Sequence, residues 1–254
     1  MDYYDILLAK QLGGGGGGGS INIADELAKG NPTGDITITE TSVVSNAFRY
    51  KTGITSVDAP NVTTMDGWAF MGCTGLLSAN FPELTVINGN TFEDCTSLEN
   101  AIFQKATILY GNSFKNATGN LAFPSLTSIQ LNGFSTFKGK EIDFGNTFSK
   151  FEGFSLTNLQ SSFPLDTIVL RRSESVVAVY ATSGVNSAQF SSGGSGGKIY
   201  IPKVLYDHLN DGTSLDYMSS TNWANVMGSN PNNSFECIEG SYYETHYADG
   251  TPIS

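Results

Sequence analysis

Few side chains here could do chemistry. Cys73, Cys95 and Cys237 are the only thiols, and His208 and His246 the only imidazoles. Cys73 and Cys95 stand 22 residues apart, each three residues before a Leu-initiated segment of the same design. Placed on neighbouring coils they would lie about 5 Å apart, near enough for a disulfide or a shared metal. Small residues stacked in a buried ladder suit the pattern better, because free cysteine packs as a small hydrophobe. Cys237 has no apparent partner. His208 has Asp207 and Asp211 nearby, but a triad also needs a nucleophile, and no G-x-S-x-G elbow is present. The glycines at 13–19 lack the Lys-Ser/Thr of a phosphate-binding loop. Asn61, Asn116 and Asn232 begin glycosylation sequons that matter only on a eukaryotic secretory route. The expectation is therefore no catalytic residue, no metal, no cofactor and no enzyme.

Composition agrees. The 254 residues carry a net charge of −11, and only 15% of them are charged, against about 25% in an ordinary soluble domain. An acidic surface repels phosphate, so no nucleic-acid partner is expected. No run of about 18 apolar residues occurs, so no membrane insertion is expected. The first residues, Met1 to Asp5, are acidic where a secretion signal would be basic. The expectation is synthesis in the host cytoplasm without a signal peptide.

The elements that position everything else announce themselves by a repeat. Phe48, Phe70, Phe92 and Phe114 follow one another at intervals of 22 residues. Each is preceded by a small residue: Ala47, Ala69, Thr91, Ser113. The skeleton Leu76-x-x-Ala79-x-Phe81-x-x-Leu84-x-x-Ile87 has counterparts from Ile54 to Met65 and from Leu98 to Leu109. A shorter copy runs from Leu121 to Ile129. A period of 20–29 residues with L-x-x-L-x-L marks a leucine-rich-repeat coil, whose single strand must stack on its neighbours to bury its apolar side. The fold class is thus a leucine-rich-repeat solenoid: a β-rich parallel sheet with short helical or irregular connections, α/β by convention. Six to seven coils are expected between residues 35 and 172.

Residues 69–89 (AFMGCTGLLSANFPELTVING) and 91–111 (TFEDCTSLENAIFQKATILYG) resemble the A-F-x-x-C-x-x-L-x-x-V-x-x-P-x-x-x-x-I-G unit of BspA-like leucine-rich repeats. The resemblance covers residues 47–129, with departures. Lys51 and Ala117 replace the Cys, Gln104 replaces the Pro, and the fourth copy is two residues short before Pro124. Ile199-Tyr200-Ile201-Pro202, then Leu205, Tyr206 and Thr221-Asn222-Trp223, are similar to the closing segment of such proteins: a strand, a Pro-started helix and an Asn-Trp helix. Together with a glycine-rich leader, the pattern resembles phage or prophage-encoded members. The resemblance implies a phage virion-associated structural or adhesion protein, with host attachment as its task. It would be located in the virion and partnered by other virion proteins and a host surface protein or glycan. A homotrimer follows by analogy with phage fibres and spikes. The alternative is a bacterial interaction protein of the cell surface, also non-enzymatic.

Three regions follow. Residues 1–34 read as an anchoring helix over 3–12, a polyglycine tether and a second short helix. Tyr3, Ile6, Leu7 and Leu8 are the candidate assembly anchor, since a ten-residue helix needs a surface to dock on. Residues 35–180 are the solenoid, and 181–254 a Ser/Gly loop and closing segment. The aromatic tail from Tyr242 to Tyr247 reads as a strand for a neighbour or a frayed end. The x positions of L-x-x-L-x-L face outward. Ser56, Asp58, Ser78, Asn80, Asn100 and Ile102 are therefore the candidate ligand-binding residues.

Overall fold

The computed structural model describes residues 30–130, 132–148, 150–151, 167–172, 177–178, 197–211 and 234–253. The candidate anchor, the tether and the Asn-Trp helix lie outside these residues, and so does the side chain of His208.

Each coil contributes one short strand to a principal sheet. Seven strands come from the repeats: β1 (Gly34–Thr37), β3 (Ile54–Asp58), β5 (Ser78–Asn80), β7 (Asn100–Ile102), β9 (Asn120–Phe123), β11 (Glu141–Phe144) and β13 (Thr167–Leu170). They pair in parallel in that order, and β15 (Lys198–Ile201) and β16 (Ser234–Cys237) extend the same sheet to nine strands. The solenoid reading holds. A second side of each coil is a two-residue strand: β2 (Ser42–Val43), β4 (Thr64–Met65), β6 (Val86–Ile87), β8 (Ile108–Leu109), β10 (Ser128–Ile129), β12 (Lys150–Phe151) and β14 (Val177–Ala178). The pair β2–β4 stands apart from the ladder β6 to β14. The third side is a tight turn carrying the repeated Phe. Among the described residues the one α-helix is α1 (Lys203–Asp211), which follows Pro202 as the closing segment predicts.

Strict stacking explains the sequence. Ser56 pairs with Ser78 and Ser78 with Asn100, a step of 22 residues, but Asn100 pairs with Asn120, a step of 20. The two residues missing before Pro124 are thus absorbed without breaking the ladder. The core is a double file of phenylalanine. Phe48, Phe70, Phe92, Phe114 and Phe134 stack nearly parallel, with centroids 5.0, 5.7, 5.3 and 5.5 Å apart. Phe81, Phe103, Phe123 and Phe144 form a second file. Rings of the two files meet edge to face, as Phe81 does with Phe70 at 5.7 Å. Offset-stacked and T-shaped pairs are the favoured aromatic geometries. Burying each ring contributes about 1.5–3 kcal/mol.

The small residue before each Phe is explained by space. Ala47, Ala69, Thr91 and Ser113 are all fully buried. The hydroxyls of Thr91 and Ser113 donate to the Asn88 carbonyl at 2.6 and 3.0 Å, so their burial leaves no polar group unsatisfied. A threonine row the repeat pattern also contains performs a similar task outside. The hydroxyls of Thr63, Thr85, Thr107 and Thr127 each donate to the backbone carbonyl of the threonine one coil back, at 3.2, 3.4, 3.2 and 2.8 Å.

Candidate functional site

The register gathers the six candidate residues into one patch. On the outward side of the principal sheet, Ser56, Ser78 and Asn100 form one row. Asp58, Asn80 and Ile102 form the row beside it. The cause is the two-residue period of a strand: Val57, Ala79 and Ala101 point into the core, so their neighbours point out. Asp58, Ser78, Asn80 and Asn100 are exposed, while Ser56 and Ile102 are half-buried.

Hydrogen bonds between neighbouring strands stiffen the patch. Asn80 Nδ2 donates to Asp58 Oδ1 at 2.7 Å. At the N-terminal end, the hydroxyls of Ser56 and Thr55 donate to Asp35 Oδ1 at 2.6 and 2.9 Å. These two bonds hold the Asp35 carboxyl below its ordinary range. The patch therefore offers fixed carboxylates and amides, with Ile102 as an apolar spot at one side.

The same face changes character toward the C-terminus. Row by row, Ile102 is followed by Ala122, Asp143 and Val169, and all three are buried although they point outward. The cover is the chain's own tail. After β16 it runs back across the sheet through a 3-10 turn, Tyr242–Glu244, and a bridge between His246 and Pro252. Ile238, Tyr243 and Ala248 pack on Val169, with Tyr200 against Tyr243 at 4.6 Å between ring centroids. The tail thus neither adds a strand to a neighbour nor frays. Its alternating aromatics serve a docked turn, because Tyr243 buries its ring while Tyr242 stacks outside on His246 at 4.7 Å.

One ion pair fastens this cover. Arg171 donates from Nε and Nη2 to the two carboxylate oxygens of Asp143, at 2.8 and 2.6 Å. Its remaining donors reach the tail: Nη1 to the Tyr243 carbonyl at 2.6 Å and Nη2 to the His246 carbonyl at 2.8 Å. The Ala248 amide donates to Asp143 Oδ2 at 3.1 Å, and Arg171 lies over the Tyr247 ring at 5.0 Å. Burial pushes the Asp143 carboxyl up to about 6, against the opposing pull of Arg171. Sequence reasoning missed this pair. Asp143 is an x position like any other, and the 28 residues to Arg171 match no period.

Cys73 and Cys95 are packing residues. Cys73 and Cys95 are free and buried, and each thiol donates to a carbonyl one coil back, that of Phe48 at 3.0 Å and that of Phe70 at 3.3 Å. Burial pushes Cys73 up to about 12 and Cys95 well above the usual thiol range, so neither supplies a thiolate. Among the described residues no group of three or more His, Cys, Asp or Glu could hold a metal ion. No described helix is long and apolar enough to cross a membrane.

Residues 41–162 match, in six copies, the family described as BspA type leucine rich repeat region. No curated protein and no solved structure matches the chain.

Proposed function

Because residues 41–162 match the leucine-rich-repeat region of the BspA type, a scaffold whose typical role is interaction rather than catalysis, we propose that this chain is a phage virion-associated adhesion protein. Residues 1–20 dock it on the particle, through Tyr3, Ile6, Leu7 and Leu8. The outward strand face is presented to a host surface protein or glycan. The observation that carries the reading is the division of that face. From β11 onward it is covered by the tail, whereas on β3, β5 and β7 it carries short polar side chains already braced by hydrogen bonds. A braced polar surface loses little side-chain entropy on binding. The pattern of short amphipathic segment, glycine tether and repeat region supports the virion placement.

The second reading, a bacterial cell-surface interaction protein, uses the same face and differs in location. Antibody against the repeat region separates the two. The virion reading expects label on particles banded from lysates of the strain that carries the gene. Label confined to cell envelopes contradicts it. Deleting residues 1–20 should leave a folded solenoid that no longer joins the particle. Normal incorporation of that deletion would end the docking proposal.

A further inference from the structure

The turn on the third side of each coil holds two residues in the left-handed region. Along five successive coils the first is Asn46, Trp68, Asn90, Asn112 and Asn132, and the second Tyr50, Gly72, Asp94, Asn116 and Thr136, with φ between 52° and 72°. Asn, Asp and Gly are the residues that tolerate this region. Thr136 has a local reason, since its hydroxyl donates to Asn116 Oδ1 at 2.6 Å. Among the described residues neither the Tyr50 nor the Trp68 side chain makes such a hydrogen bond to a neighbouring coil. They are bulky, strained at φ 59° and 62°, and exposed to 56% and 44%.

These two departures are neighbours. The Tyr50 amide donates to the Met71 carbonyl at 2.7 Å, and the Met71 amide to the Trp68 carbonyl at 3.2 Å. The Tyr50 ring is held in place. It lies across Gly72, where a Cβ would come within 2.2 Å of Cδ1. On Tyr50's own coil, Arg49 sits 4.8 Å from its ring centroid and donates to its hydroxyl at 3.2 Å. Arg49 also donates to Asn46 Oδ1 at 3.2 Å, and Asp66 stands exposed two residues before Trp68. Residues that break a local rule without repairing the fold mark functional positions.

We infer that Arg49, Tyr50 and Trp68 form a carbohydrate-binding site on the turn side of the solenoid, separate from the strand face. The Tyr50 ring stands beside the Arg49 guanidinium, which also bonds Asn46, and takes no part in the buried apolar core. A protein hot spot wants a desolvated, contiguous centre. An oligosaccharide instead alternates apolar C–H faces, which lie on aromatic rings, with hydroxyls, which bond to Arg49, Asn46 and Asp66. The site does not depend on the virion reading or on the strand face.

The test uses the full chain, its Tyr50→Asn/Trp68→Asn variant and a panel of soluble probes: β-glucan, chitohexaose, galactan, a rhamnose-rich wall polysaccharide and sialyllactose. Calorimetric titration should find at least one probe that the variant binds ten-fold or more weakly. The variant's Tm should equal or exceed that of the parent, because Asn fits both positions. A lowered Tm would show that the rings are packing residues and overturn the site. So would a panel with no member that distinguishes the two proteins. A matched panel of acidic, Trp-containing peptides that did distinguish them would replace the carbohydrate with a protein partner.

Discussion

Arg171 and Asp143 meet in a two-pronged ion pair, with Nε on one carboxylate oxygen and Nη2 on the other, beneath the folded-back tail. Asp143 is fully buried and the Arg171 side chain only 12% exposed. A buried pair of this kind adds little over a well-packed apolar pair, but losing one partner strands a charge. Arg171→Met should therefore destabilise the protein by about 3–5 kcal/mol at neutral pH. Urea denaturation measures this, and limited proteolysis should show cleavage within residues 241–253 first.

The pH dependence of that variant has a definite sign. Asp143 already stands at about 6 in the folded protein, above its ordinary value of 3.8, because burial outweighs Arg171. Stability from a raised carboxyl is fully present below the unfolded value and is lost as pH rises through the folded one. Removing Arg171 removes a lowering influence, so the folded value rises further. The loss in Arg171→Met should be larger at pH 8 than at pH 5. Adding Asp143→Asn should flatten the difference. An equal loss at both pH values would mean that Asp143 is not buried as described.

Phe92 touches four rings, stacked on Phe70 and Phe114 and set against Phe81 and Phe103. Phe92→Ala should cost about 3–5 kcal/mol, since neighbouring coils cannot collapse into the space of a ring. A loss under about 1 kcal/mol in equilibrium denaturation would contradict the double file.

The thiols should behave unequally. In the folded protein a thiol reagent such as DTNB should leave Cys73 and Cys95 untouched and reach Cys237, which is half-buried. All three should react in denaturant. Fast native labelling of Cys73 would place it outside the core.

The solenoid was legible in the sequence because each coil repeats the same burial problem. One Phe, one small residue before it and one apolar skeleton recur at a fixed period, so Phe48, Phe70, Phe92 and Phe114 could be stacked by counting. The outward rows followed from alternation alone. Asn80 reaching Asp58 was implicit in a shared offset of 22 residues. What periodicity could not carry was any contact made once. Arg171 with Asp143 spans 28 residues, and Ala248 with Asp143 spans 105. The tail's aromatic alternation suggested an extended strand, whereas the ring of Tyr243 is buried by a turn. Left-handed Tyr50 and Trp68 were hidden for a related reason: the repeat shows the positions, but only the backbone shows that they demand Asn or Gly.

Binding by the open strand face of β3, β5 and β7 is tested by adsorption of the labelled protein to bacterial cells. Ser78→Arg/Asn80→Arg places two long cations on exposed positions of adjoining outward rows, away from the core. The variant should keep its Tm and lose at least ten-fold in adsorption to any strain that retains the parent protein. Equal adsorption by the folded variant would contradict binding by that face.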